Sequence, residues 1–321
     1  MSWLNDLVAN WLATGGLHQK QDIQTVSKRL PLKPLVEGRP VLLGDDAAAI
    51  TVDGGYLLLA AEGVWPPLLR ANPQLAGRCC VLTNVSDIYA MGGRPTAVVD
   101  VLFASDDELA SQVISGMQEN AERFGVPIVG GHYTKNRDTS ALAVAILGQA
   151  KRLLTSHTAR PGDLLMLVCK LEGRLHDTFD FWDCSSMSSP EQLRSDLELL
   201  PLIAETGLCD TAKDVSMAGI LGTTIMLLET SGYGARVSLD EIPCPPGVDI
   251  ERWLRAFPSY GFILSVRPQH VNDVRVIFEE RGLCCAPYAT VIDGPTVTVH
   301  GRGESKVIWD LTTPLMGFTQ S

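Results

Sequence analysis

Short apolar runs of strand length alternate with longer stretches of helical periodicity along the whole chain, and this alternation is the feature that most constrains its fold. Runs at 56–61, 97–103, 126–129 and 141–149 read as strands. Helical patterns fill the gaps over 73–91 and from 105 to 124, where Ser105-Asp106-Asp107-Glu108 has the spacing of a capping box. The second half repeats the theme: a buried-looking strand at 164–169, strands near 235–239 and 261–266, and helices over 190–205, 219–231, 250–257 and 271–281. Residues 288–311 alternate Val and Thr with turn residues, which predicts short antiparallel strands. The pattern as a whole predicts an α/β chain.

With 321 residues, 45% of them hydrophobic and 20% charged, the chain has the apolar content of two ordinary globular domains. The turn Arg160-Pro161-Gly162-Asp163 opens the second set of elements, so the boundary is placed near residue 152, giving domains 1–152 and 153–321. At the start, Trp3, Leu4, Leu7, Val8, Trp11 and Leu12 share one helical face, closed by Gly15 and Gly16. That helix packs on its own chain or on a partner. A second helical stretch runs to about Leu30, and Pro31, Pro34 and Pro40 then carry an extended chain to the apolar run 41–43.

A net charge of −11 and a pI near 5.0 oppose nucleic acid and anionic membrane surfaces, both of which recruit clustered Lys and Arg. No apolar run approaches the ~20 residues of a membrane-spanning helix, and the N-terminus lacks a basic segment followed by an apolar stretch. The expected location is the cytoplasm. Eight cysteines (79, 80, 169, 184, 209, 244, 284 and 285) include no C-x-x-C spacing, so reduced, mostly buried thiols are expected.

No phosphate-binding P-loop motif and no strand-associated G-x-G-x-x-G is present, so a bound nucleotide needs metal to hold its phosphates. Acidic residues recur at the ends of apolar runs or beside glycine: Asp45 and Asp46, Glu62, Asp87 and Asp214. Each alone reads as a turn or cap residue. Together, hard oxygen ligands on several loops suit Mg²⁺. Asn84 and Asp87 lie three apart on a helix and line either a phosphate site or a solvated stripe, before Gly92-Gly93 turns the backbone. Asp214-Val215-Ser216-Met217-Ala218-Gly219 leads into an apolar helix, where Ser216 is an N-cap, a phosphate contact, or both. His132, after Gly130-Gly131, reads as a ligand, a proton carrier or a histidine satisfied by a backbone carbonyl. Lys170, Glu172 and Arg174 follow a buried strand and face either a polar substrate or solvent, and 179–189 reads as a loop carrying aromatics.

On these residues the chain resembles the aminoimidazole-ribonucleotide-synthetase-like superfamily, which includes thiamine-monophosphate kinase, selenophosphate synthetase and a hydrogenase maturation protein. Gly44-Asp45-Asp46-Ala47-Ala48 is similar to the kinase's G-D-D-x-A motif, and Asn84-Val85-Ser86-Asp87-Ile88-Tyr89-Ala90-Met91-Gly92-Gly93 to its N-x-S-D-x-x-A-M-G motif. Gly130-Gly131-His132, Arg160-Pro161-Gly162-Asp163 and Asp214-Val215-Ser216 follow in the family's order. The resemblance implies an N-terminal α/β domain that dimerises into a β-barrel, a C-terminal domain with a mixed sheet and helices, and ATP with Mg²⁺. It makes Asp46, Asp87 and Asp214 metal ligands, with Asp45 and Glu62 beside them, and puts Asn84, Gly92, Gly93, Gly130, Gly131, Ser216 and Gly219 at the nucleotide. Asp100, five residues after Pro95, stands where the synthetase carries an Asp near phosphates or substrate.

Several positions depart from the kinase pattern. Ala61-Glu62-Gly63 stands for T-D-T, Met217 and His132 stand for acidic residues, Ser156 for a phosphate-contacting Arg, and Ser259-Tyr260-Gly261-Phe262 for G-E-D-Y. These changes point away from thiamine monophosphate as substrate. The first cysteine is Cys79, so the reactive N-terminal cysteine of the selenium enzyme has no counterpart.

The activity implied is Mg-ATP-dependent phosphoryl transfer to a small molecule, kinase-like, with His132, Lys170 and Lys213 as candidate catalytic groups. A synthetase course through a phosphorylated intermediate and a non-catalytic nucleotide-binding partner are the alternatives. The expected assembly is a homodimer.

Overall fold

The computed structural model describes residues 2–318 apart from 31, 32, 137 and 259, so Pro31 and Ser259 lie outside the described residues. The chain divides into two compact units. One comprises Asp46–Leu153 and Ser188–Leu202; the other comprises Met1–Asp45, Leu154–Met187 and Ile203–Ser321. The first 45 residues thus group with the later part of the chain rather than with the residues that follow them.

The Asp46–Leu153 unit is built on a five-stranded sheet in the order Ala48–Val52, Gly55–Gly63, Ala141–Ala150, Arg94–Ala104, Ile128–Lys135. Only the last pair is parallel. Residues alternate cleanly across it. Leu58, Ala60, Val98, Leu102, Leu142, Val144 and Ile146 are buried beneath the helices Pro73–Ala90 and Asp107–Phe124. Leu59, Val99, Val101 and Leu147 stand exposed on the opposite face. The helix Pro73–Ala90 begins with Pro at its first position and Asn72 accepting the Leu75 N–H at 3.0 Å. The helix Asp107–Phe124 is capped by Asp106, which accepts from Leu109 N at 2.9 Å, and ends in left-handed Gly125.

The sequence left Ala48–Val52 unassigned as a strand, and it ended the strand 126–129 before Gly130-Gly131. The glycines instead lie inside the strand Ile128–Lys135. The apolar run 41–43 forms no strand.

The second unit carries a seven-stranded sheet in the order Ala212–Asp214, Gly261–Val266, Leu164–Cys169, Cys284–Ile292, Gly234–Ser238, Thr296–Gly301, Glu304–Asp310. All its pairs are antiparallel except Gly234–Ser238 with Thr296–Gly301, so the last strands are only partly the antiparallel set expected. The helix Gly219–Ser231 is buried on every side, which explains its lack of an amphipathic stripe. The helix Trp3–Leu12 packs on its own unit, against Glu304–Asp310 and Ile250–Arg255, with Leu4, Leu7, Val8 and Trp11 buried. Gly15 and Gly16 do not close it; they open the next helix, Gly15–Asp22. The segment expected as one helix over 190–205 is two, Pro190–Leu197 and Leu199–Glu205. The aromatic loop contains a short strand, Phe181–Asp183, whose Trp182 packs edge-on against Trp253 with ring centroids 5.4 Å apart. All eight cysteines are free thiols. No helix among the described residues is long and apolar enough to cross a membrane.

Candidate functional site

In the five-stranded unit, Asp46 precedes the first strand and Asp87 lies in the last turn of Pro73–Ala90, where it is only 5% exposed. Their carboxylate oxygens lie within 4.8 Å of each other. Two like charges at this spacing repel, and a carboxylate in a helix's last turn also faces the negative end of the helix dipole. A cation relieves both effects, and oxygen-only donors at this spacing fit Mg²⁺. One turn earlier, Asn84 is fully buried; its Nδ2 donates to Cys80 O at 2.8 Å while its Oδ1 has no hydrogen-bond partner among the described residues. A buried acceptor without a hydrogen-bond partner among the described residues, beside a carboxylate pair, is available to a ligand's donor.

Asp45 is differently engaged from Asp46. Its carboxylate accepts from the Thr155 hydroxyl at 2.5 Å and from Ser156 N at 3.1 Å, holding the turn that begins the later unit. Glu62 is exposed near the end of Gly55–Gly63, close enough to Cys80 to add to the burial that pushes that thiol up to about 12. Neither Asp45 nor Glu62 nor His132 joins a group of close metal-ligating atoms among the described residues.

The glycine motifs have local reasons. Gly92 adopts φ +72° and ends the helix, its N–H and that of Gly93 donating to Tyr89 O and Ile88 O. A Cβ on Gly93 would lie 2.3 Å from the Leu58 side chain, so the packing requires glycine there. Gly131 is bare because its register partner Asp100 lays its carboxylate over it, 2.1 Å from where a Cβ would stand. Burial raises the Asp100 carboxyl above its ordinary value. His132 is exposed, its Nε2 3.0 Å from Thr134 Oγ1. Asp100, Gly130, Gly131 and His132 line a cavity of about 770 Å³ between this strand pair and Asp107–Phe124.

In the second unit, Asp214 ends the strand Ala212–Asp214 and Lys213, within it, is 4% exposed. Lys170 follows Leu164–Cys169 at 6% exposure, with Nζ 4.0 Å from Glu172 Oε2. Ser216 is not an N-cap: the helix Gly219–Ser231 is preceded by Ala218 with no side-chain cap, and the buried Ser216 Oγ has no partner among the described residues. Its N–H donates to Thr223 Oγ1 at 3.2 Å. Gly219, at φ +68°, lies so close to Leu254 O that a Cβ would come within 2.1 Å. Ser156 Oγ is a further buried atom with no hydrogen-bond partner among the described residues.

The chain is 49% identical over 318 residues to an uncharacterized protein of Synechocystis sp., covering 98% of this chain and 99% of that one. Among solved structures, Thermotoga maritima PurL complexed with ATP superposes with a TM-score of 0.77 at 22% identity, covering 95% of this chain and 52% of its own; this chain therefore spans about half of that one. AaThiL complexed with AMPPCP and TMP gives a TM-score of 0.63 at 18% identity over 82% of this chain and 88% of that one. Both show the shared fold, mixed α/β in two domains. Residues 44–150 match the N-terminal domain and residues 160–302 the C-terminal domain of AIR synthase related protein, and the chain belongs to that family.

Proposed function

We propose that this protein binds Mg-ATP and transfers its terminal phosphoryl group to a small-molecule substrate. The observation that carries the reading is the Asp46–Asp87 carboxylate pair, one member buried in a helix's last turn, with no cation-bearing loop motif in the sequence to take its place at a phosphate. Mg²⁺ bound there supplies charge neutralisation to phosphate oxygens during transfer. Asp46 and Asp87 would hold it, and the buried Asn84 amide oxygen would accept a hydrogen bond from a water or from the substrate. Asp214 is assigned as a further ligand and Glu62 as a longer-reaching one, on the family's motif order alone. The Ser216 hydroxyl, without a hydrogen-bond partner among the described residues, donates to phosphate, and the first N–H groups of the Gly219–Ser231 helix favour the same charge. Lys170 and Lys213, nearly buried cations, are the candidates for contacting the transferred group or the acceptor.

Whether phosphate stays on the product or leaves during a later ring closure is decided by product analysis: ADP with phosphorylated substrate marks a kinase, ADP with free phosphate a synthetase. The reading itself is tested by calorimetric titration with ATP, with and without Mg²⁺. Binding only when Mg²⁺ is present supports it; equal binding in both conditions, or none, removes it.

A further inference from the structure

Glu229 is the one acidic side chain in the helix Gly219–Ser231 and is 1% exposed. Its carboxylate accepts four successive backbone N–H groups, from Leu315, from Met316 at 3.1 Å, from Gly317 at 2.7 Å and from Phe318 at 3.0 Å. Such charge-assisted bonds are strong and offset the burial of the charge. The same segment is gripped from its other side, by Gln24 Nε2 donating to Pro314 O at 2.8 Å and by Ser27 Oγ donating to Met316 O at 2.9 Å. The result is that Phe318 lies across Gly44: a Cβ there would stand 2.6 Å from Phe318 Cβ and 2.9 Å from its Cγ. Gly44 also needs φ +102°, which a side chain would resist.

The next two residues of the same helix reach the same loop by another route. Thr230 Oγ1 and Ser231 Oγ donate to Ser156 O at 2.9 and 2.5 Å. Ser156 N and the Thr155 hydroxyl in turn donate to Asp45. Three consecutive residues at the end of one helix therefore hold Gly44 from above and Asp45 from the side.

We propose that the Glu229-Thr230-Ser231 turn and Phe318 form a positioning device that fixes the Gly44-Asp45 loop and so aims the following residue, Asp46, for metal binding. The inference rests on the Mg-ATP reading of Asp46. Metal affinity depends on ligands being held within a few tenths of an ångström, and the groups that hold them are worth about 10–100-fold in affinity.

The test compares wild type with Phe318→Ala, Phe318→Tyr and Glu229→Gln. Mg²⁺ is titrated at fixed ATP by calorimetry, and hydrogen exchange is followed in peptides covering residues 41–48. For Phe318→Ala the Mg²⁺ concentration at half-saturation should rise about tenfold. Exchange at residues 44–46 should quicken while the thermal midpoint stays near that of wild type. Phe318→Tyr, which keeps the ring over Gly44, should restore both. Glu229→Gln should act in the same direction as Phe318→Ala; if it fails to fold, Phe318→Ala decides. Wild-type Mg²⁺ dependence in Phe318→Ala overturns the proposal, and does so even if exchange quickens, because the segment is then only an anchor. If wild type itself binds no Mg-ATP, the functional reading falls, and unchanged exchange in Phe318→Ala would separately remove the clamp.

Discussion

Asp87 carries opposite consequences for stability and for binding, and the two can be separated in one variant. Its charge stands close to that of Asp46 and at the helix's negative end, so Asp87→Asn removes repulsion without removing volume. We expect the variant to fold with stability unchanged or raised by about 1 kcal/mol, while Mg-ATP affinity by calorimetry falls at least 100-fold; intact affinity would refute the assignment. Asp100 gives a pH-dependent counterpart. Its folded-state carboxyl is raised above the ordinary 3.8 by burial, so the folded state binds the proton more tightly than the unfolded chain. The stability this confers is complete below the unfolded value and is lost as pH rises through the folded one. Asp100→Asn should therefore melt higher than wild type at pH 7, on the order of a few degrees, with the gap closing toward pH 3.5. A gap independent of pH would show that repacking, not ionisation, is responsible. At this scale the sequence made the candidate carboxylates visible because acidic residues at the ends of apolar runs are conspicuous. It could not separate adjacent Asp45 from Asp46, since hydrogen bonding to Thr155 and Ser156 depends on residues 110 and 111 positions away. Glu229 had a signal, a lone charge in an apolar helical run, whose partners were equally remote.

The helices Pro73–Ala90 and Asp107–Phe124 meet through two reciprocal glycines. A Cβ on Gly77 would stand 2.2 Å from Val113 O, and one on Gly116 would stand 2.0 Å from Gln74 O. The backbones touch where side chains would normally separate them, so neither position has slack. Gly116→Val should cost about 2 kcal/mol, read as a lower urea midpoint with unchanged slope; a shift below ~0.5 kcal/mol would mean the crossing relaxes easily. Long elements were legible because periodicity over many residues outweighs local ambiguity: 73–91 and 105–124 were expected, and Pro73–Ala90 and Asp107–Phe124 form. Ala48–Val52 was not: Ile50, Thr51 and Val52 favour a strand, but the run is only five residues long and its first two are Ala, and pairing with Gly55–Gly63 fixes it. The strand expected over 126–129 stopped short of Gly130 and Gly131, whereas the close approach of Asp100 gives at least Gly131 a place inside Ile128–Lys135.

At the scale of the whole molecule, the α/β class followed from the alternation of periods. The grouping of residues 1–45 with the later unit did not, because it is made by the buried face of Trp3–Leu12 packing on strands and helices more than 200 residues away. One surface is left to account for. Leu59, Val99, Val101 and Leu147 occupy adjacent positions on the uncovered face of the five-stranded sheet, between 38% and 50% exposed. A contiguous apolar face of this kind is costly in water and marks a contact surface. The face is self-complementary in character, apolar and without charge at these four positions, which suits a two-fold contact with a second copy. We therefore expect the protein to run as a dimer in size-exclusion chromatography with light scattering. Val101→Lys would place a charge in the middle of that contact, and each dimer would bury it twice. The variant should elute as a folded monomer at micromolar concentration. A wild-type protein that is already monomeric, or a Val101→Lys variant that remains dimeric, would show that some other occupant covers this sheet.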